Sequence, residues 1–105
     1  MSSIAFQNIF DAVTDNTEEA SELQTRSDLM IVIRDIIDEQ NLTQKEAAEK
    51  LGLTQPRVSD LKNGKIEKFS IDLLMTCLFR IGFRFKPQYK NHELTIDVQA
   101  LGNTG

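Results

Sequence analysis

Within LTQPRVSDLKNG, residues 53–64, four side chains stand close together whose chemistry suits recognition more than catalysis: Gln55, Arg57, Ser59 and Asp60. A primary amide sets a donor beside an acceptor and can pair in two bonds with adenine, a guanidinium matches guanine or a phosphate, and a carboxylate accepts from the amino group of cytosine. The same stretch also fits an ordinary amphipathic helix followed by a turn, in which Asp60 does no more than steady Arg57 at i+3. Bond-making chemistry finds no comparable set. Cys77 and His92 are the only residues of their kinds, there is no glycine-rich phosphate loop, and the carboxylates fall on helical faces expected to be exposed. The expectation is a non-enzyme with no catalytic, cofactor-binding or metal-ligating residues.

What must position these four side chains is a chain of 105 residues, room for one domain, with 40% apolar content to supply a modest core. A lone cysteine excludes an internal disulfide and fits a reducing cytoplasm. No window approaches the length of a membrane span, and MSSIAFQNIFDAV lacks the build of a leader, so a soluble protein without a membrane partner is expected. The formal net charge of -4 conceals a division. Residues 1–39 carry two basic against nine acidic side chains, whereas residues 40–90 carry ten basic against five acidic. Screening over about 10 Å makes local charge decide what a polyanion feels, so an acidic total argues little against nucleic-acid binding.

Ile4, Phe6, Ile9, Phe10 and Val13 predict a short amphipathic helix, broken at Asp15-Asn16-Thr17. Thr17 is the expected N-cap of an acidic helix beginning EEASEL, and Ser27 the cap of the next, with Leu29, Met30, Ile33, Ile36 and Ile37 at helical spacing. Thr43 with Glu46 forms a capping box ahead of Ala47, Ala48 and Leu51, and Gly52 stops that helix. Thr54 caps the following one, where Pro56 is tolerated in the first turn, Val58 and Leu61 face inward, and Asn63-Gly64 terminates in left-handed conformation. After the linker KIEKF, Ser70 caps a last helix that buries Ile71, Leu74, Met75, Leu78 and Phe79, with Cys77 as a small apolar core residue. Gly82 closes it.

From Phe83 the apolar period changes to two: Phe83, Phe85, Pro87 and Tyr89, then Leu94, Ile96 and Val98. Two strands joined by a polar loop containing His92 make a hairpin, and the tail ALGNTG is expected to fray. An isolated hairpin is marginal, so its aromatic face either packs on its own helices or pairs across a dimer axis.

In LTQKEAAEKLGLTQPRVSDLKNG, small residues stand where two helices must cross, glycine where the chain must turn, and apolar residues where the second helix anchors: a helix-turn-helix. Leu42-Thr43-Gln44, Glu46-Ala47-Ala48, Leu51-Gly52, Thr54-Gln55, Val58-Ser59, Leu61 and Asn63-Gly64 resemble the XRE (Cro/C1-type) family of lambda-type repressors, over roughly residues 27–82. The resemblance implies a mainly α fold, a lambda-repressor-like bundle of about five helices with a C-terminal β-hairpin. The divisions expected are an acidic helical segment 1–26, a DNA-binding domain 27–82, and a hairpin and tail 83–105.

In such a motif the second helix enters the major groove of double-stranded DNA. Gln55, Arg57, Ser59 and Asp60 are then the expected base contacts. By family position Gln44 bonds a phosphate and braces Gln55, and Lys45, Lys62, Asn63 and Lys65 touch the backbone. Lys68, Arg84, Lys86 and Lys90 are expected as solvated charges. A homodimer on an inverted-repeat operator follows, because one small domain spans few base pairs. The wider pattern resembles short HigA-type antitoxins, which implies a cytoplasmic, nucleoid-associated repressor, bacterial or phage-encoded, that autoregulates its operon and has a RelE-like toxin as partner. The acidic N-terminal region would be the surface meeting that toxin. A stand-alone phage-derived repressor, or an interaction module that has lost DNA binding, fits the same residues.

Overall fold

The computed structural model describes residues 15–101. Four α-helices lead into a β-hairpin: α1 (Asp15–Glu39), α2 (Gln44–Leu51), α3 (Gln55–Lys62), a 3-10 turn (Ile66–Lys68), α4 (Ile71–Arg80), β1 (Phe83–Lys90) and β2 (Glu93–Ala100). The helix expected over residues 4–13 lies outside the described residues. Where two helices were expected to meet at Ser27, one helix of 25 residues runs without a break, so neither Thr17 nor Ser27 is a cap. The cap residues of both sites are compatible with a helix interior, and the apolar stripe beyond Ser27 is long enough to carry the preceding acidic turns along with it. The helix stops where Asn41 turns left-handed at φ 55°.

The remaining boundaries follow their caps. Thr43 Oγ1 accepts from the amide of Glu46 at 3.1 Å, and Glu46 Oε1 accepts from the amide of Thr43 at 2.8 Å, closing the capping box. Thr54 and Ser70 accept from the amides of Arg57 and Leu73. After α3 only Gly64 is left-handed, at φ 72°, while Asn63 stays at φ -89°.

Met30, Ile33 and Ile37 of α1 pack against Ala47, Ala48 and Leu51 of α2, Val58 and Leu61 of α3, and Leu74, Cys77 and Leu78 of α4. Phe69, assigned by sequence to a linker, is 1% exposed and plugs this core from the turn before α4. Phe79 departs from expectation in the other direction: it is 49% exposed and meets Phe85 edge-on, ring centres 5.9 Å apart. Helical spacing alone cannot distinguish the stripe facing the core from the stripe facing the hairpin. Leu29 and Ile36 of α1 are likewise only half-buried, beside the hairpin.

The hairpin is antiparallel, with Phe83 opposite Ala100, Phe85 opposite Val98, Pro87 opposite Ile96 and Tyr89 opposite Leu94. Residues facing each other across strands share a side, so one side is apolar throughout and the other carries Arg84, Lys86, Gln88 and Lys90 with their partners. Asn91 and His92, both with positive φ (55° and 66°), form the two-residue loop of a primed turn.

Candidate nucleic-acid interface

The turn between α2 and α3 is fixed from both ends. Gly52 has φ 73°, and a Cβ at this position would collide with the guanidinium of Arg80, whose Nη1 donates to the carbonyls of Leu51 at 2.9 Å and Gly52 at 3.3 Å. Glycine is therefore required by the backbone conformation, and a Cβ here would in addition displace the flexible end of Arg80. Across the turn, Gln44 Nε2 donates to the carbonyl of Gln55 at 3.0 Å, tying the first residue of α2 to the first residue of α3. The brace expected of Gln44 thus reaches the Gln55 backbone and leaves the Gln55 amide side chain exposed.

Along α3, Gln55 and Pro56 are exposed at the helix start, and Val58 and Leu61 are buried beneath them. Ser59 and Asp60 are half-buried. Ser59 Oγ accepts from Asn63 Nδ2 at 3.4 Å, and Asp60 pairs with Lys65 at 3.8 Å. The pairing of Asp60 with Arg57, offered as its plain structural role, is replaced by this one, because Arg57 points elsewhere. Its Nη2 donates to the Lys68 carbonyl at 2.9 Å, and its guanidinium lies 5.2 Å from the centre of the Phe69 ring. Lys45, Lys62, Asn63 and Lys65 are exposed.

Sequence reasoning overlooked the arginines that hold the turn after α3. Arg26 Nη1 donates to the carbonyls of Ile66 and Phe69, both at 3.3 Å, and is itself held by Glu22 at 3.0 Å; Arg34 Nη1 reaches the Lys62 carbonyl at 3.4 Å. With Arg57 they bond four carbonyls between residues 62 and 69, of which that of Ile66 also accepts from the amide of Phe69. Sequence separations of 28 and more for Arg26 and Arg34 leave no local signal of this role. Burial holds the Cys77 thiol above its ordinary pKa, partly opposed by Arg80 and Arg57, which keeps it a neutral core residue. Among the described residues, no three His, Cys, Asp or Glu side chains gather at a metal-sized site, and no helix is long and apolar enough to cross a membrane.

A helix-turn-helix domain family matches residues 12–86. A solved structure described as an XRE-family transcriptional regulator is similar to this chain with 44% identity and a TM-score of 0.57, the match covering 59% of this chain and 70% of that one. No curated protein matches.

Proposed function

The chain belongs to the XRE-type helix-turn-helix family, and from that premise we propose that it is a DNA-binding transcriptional regulator, a repressor that binds an inverted-repeat operator as a homodimer. The observation that carries this reading is the exposed Gln55 amide at the start of α3, on a helix whose backbone is fixed by Gln44, by the Thr54 cap and by the Gly52–Arg80 contact. A side chain that reads base edges discriminates only when its backbone is held, and here the backbone is held at three points. Gln55 is assigned to adenine. Ser59 and Asp60 lie one turn further on, where a hydroxyl and a carboxylate reach neighbouring bases once Lys65 turns to a phosphate. Gln44, Lys45, Lys62, Asn63 and Lys65 contribute to backbone contact, and Arg57 acts from behind by holding the turn at residues 68 and 69.

Fluorescence anisotropy on DNA selected from random sequence tests this. A two-fold symmetric consensus with half-sites about 34 Å apart is expected. Binding indifferent to sequence would leave only the interaction-module reading.

One observation favours a further role as an antitoxin. The outer surface of α1 exposes Glu18, Glu19, Glu22, Asp28, Asp35 and Asp38, a charge complementary to the basic RNA-holding surface of a RelE-like toxin. Co-expression with a small basic protein encoded next to this gene should relieve its toxicity, and Glu18→Lys with Glu19→Lys should reduce that relief while DNA binding persists. Unchanged relief in the variant would remove α1 as the contact surface, and the absence of such a neighbouring gene would leave a stand-alone repressor.

A further inference from the structure

The hairpin carries more apolar surface than its own helices cover. At the root, Phe83, Phe85 and Val98 face Leu29, Val32 and Ile36 of α1, and these side chains with Leu78 line a groove of about 190 Å³. Toward the tip nothing in the described chain lies beneath the same face: Tyr89 is 66% exposed, Leu94 61% and Ile96 58%. Taken with the exposed parts of Val32, Phe79 and Val98, at roughly 150–200 Å² per large apolar residue the face amounts to about 600 Å². A patch of that size stands at the top of the roughly 300–600 Å² range of the largest patch on a typical monomer, where such patches are often functional, and it is most of the roughly 800 Å² that each partner contributes to a standard interface.

We propose that this face binds a second copy of the chain about a two-fold axis, the hairpin tip of each copy entering the groove between α1 and the hairpin root of the other. Each chain carries both the projecting tip and an apolar groove that matches it in character, so one two-fold arrangement covers both on both copies, as an isologous interface requires. The position also suits the DNA reading on which the proposal rests. Ser27, Met30, Ile31 and Arg34 line the side of α1 that faces Leu61 at the end of α3, whereas Leu29, Val32 and Ile36 lie about half a helical turn away around α1. Two chains joined through the latter side keep both copies of α3 free. The polar side of the hairpin, with Arg84, Lys86 and Lys90 among its residues, stays in water.

Sedimentation velocity on the full chain, at concentrations through the micromolar range, reads the association. Wild type should be a dimer, and Ile96→Glu should associate roughly 100-fold more weakly, since a carboxylate would be buried without a partner. Ile96 is exposed in the single chain, so the variant should keep its circular dichroism and its thermal unfolding at low concentration. A mixture of Tyr89→Cys and Val32→Cys chains should, on oxidation, form the mixed disulfide in preference to either like pair. A monomeric wild type, an Ile96→Glu variant that still dimerises, or a chain that dimerises only after residues 1–14 are removed would each overturn the proposal, the last by making the N-terminal segment the occupant. The DNA reading fails separately: it is lost if binding of the wild-type dimer ignores sequence, whatever the interface.

Discussion

Gln55 and Arg57 are two residues apart on the same helix, yet the structure gives them opposite settings. Gln55 is exposed with its amide side chain directed to solvent; Arg57 is folded back over Phe69 and bonded to the Lys68 carbonyl. Gln55→Ala should therefore weaken operator binding by about 10- to 100-fold, the equivalent of one bidentate base contact, without changing the urea midpoint. Arg57→Ala should do the reverse. It should lower unfolding stability by about 1–2 kcal/mol through the lost hydrogen bond and ring contact, and weaken binding to all sequences alike. Equal loss of specificity in both variants would return Arg57 to the bases. Gly52→Ala combines a left-handed backbone, which costs a Cβ-bearing residue about 1–2 kcal/mol, with displacement of Arg80. A double-mutant cycle should show a smaller loss in an Arg80→Ala background, because only the backbone term then remains. For Cys77, a folded-state pKa above the ordinary value keeps the thiol neutral, so its contribution is complete below about pH 8.5 and declines only as alkaline pH approaches the raised value. Thiol labelling at neutral pH should accordingly proceed only as fast as the chain opens.

Among the elements, the two helices of the motif start on caps of unequal quality. Thr43 takes part in a reciprocal box with Glu46, whereas Thr54 makes one bond of 3.3 Å. Both lie at the scale of a helix N-cap, about 0.5–2 kcal/mol, with Thr43→Ala expected toward the upper end and Thr54→Ala toward the lower. Chemical denaturation of the two variants measures the difference, and a larger loss for Thr54→Ala would contradict the ranking. These boundaries were legible because a cap is local: a hydroxyl, an amide three residues on, and a glycine or asparagine to stop. The start of α1 was not legible by the same rules. Thr17 and Ser27 have the right chemistry for caps, but a residue caps a helix only if the chain before it is not helical, and the 25-residue helix passes through both. The hairpin was legible from its period of two, including the polar loop that Asn91 and His92 turn with positive φ.

For the molecule as a whole, the proposed two-fold association through the hairpin face would make stability depend on protein concentration. The thermal midpoint of wild type should rise with concentration and that of Ile96→Glu should not, as differential scanning calorimetry at two concentrations would record. The fold and the helix-turn-helix motif were both written in the sequence. Capping residues, the turn glycine, and Ala47, Ala48, Val58 and Leu61 at helical spacing act between neighbours, and neighbours are what a linear pattern records. Three further features were decided only in three dimensions. Arg26, Arg34 and Arg57 hold carbonyls of the turn after α3, Phe69 leaves an apparent linker for the centre of the core, and Phe79 and the outer stripe of α1 turn to the hairpin. Each depends on contacts between segments far apart in the chain, or on which of two adjacent apolar stripes another element happens to cover. Spacing shows that a face is apolar; only the packed structure shows what meets it.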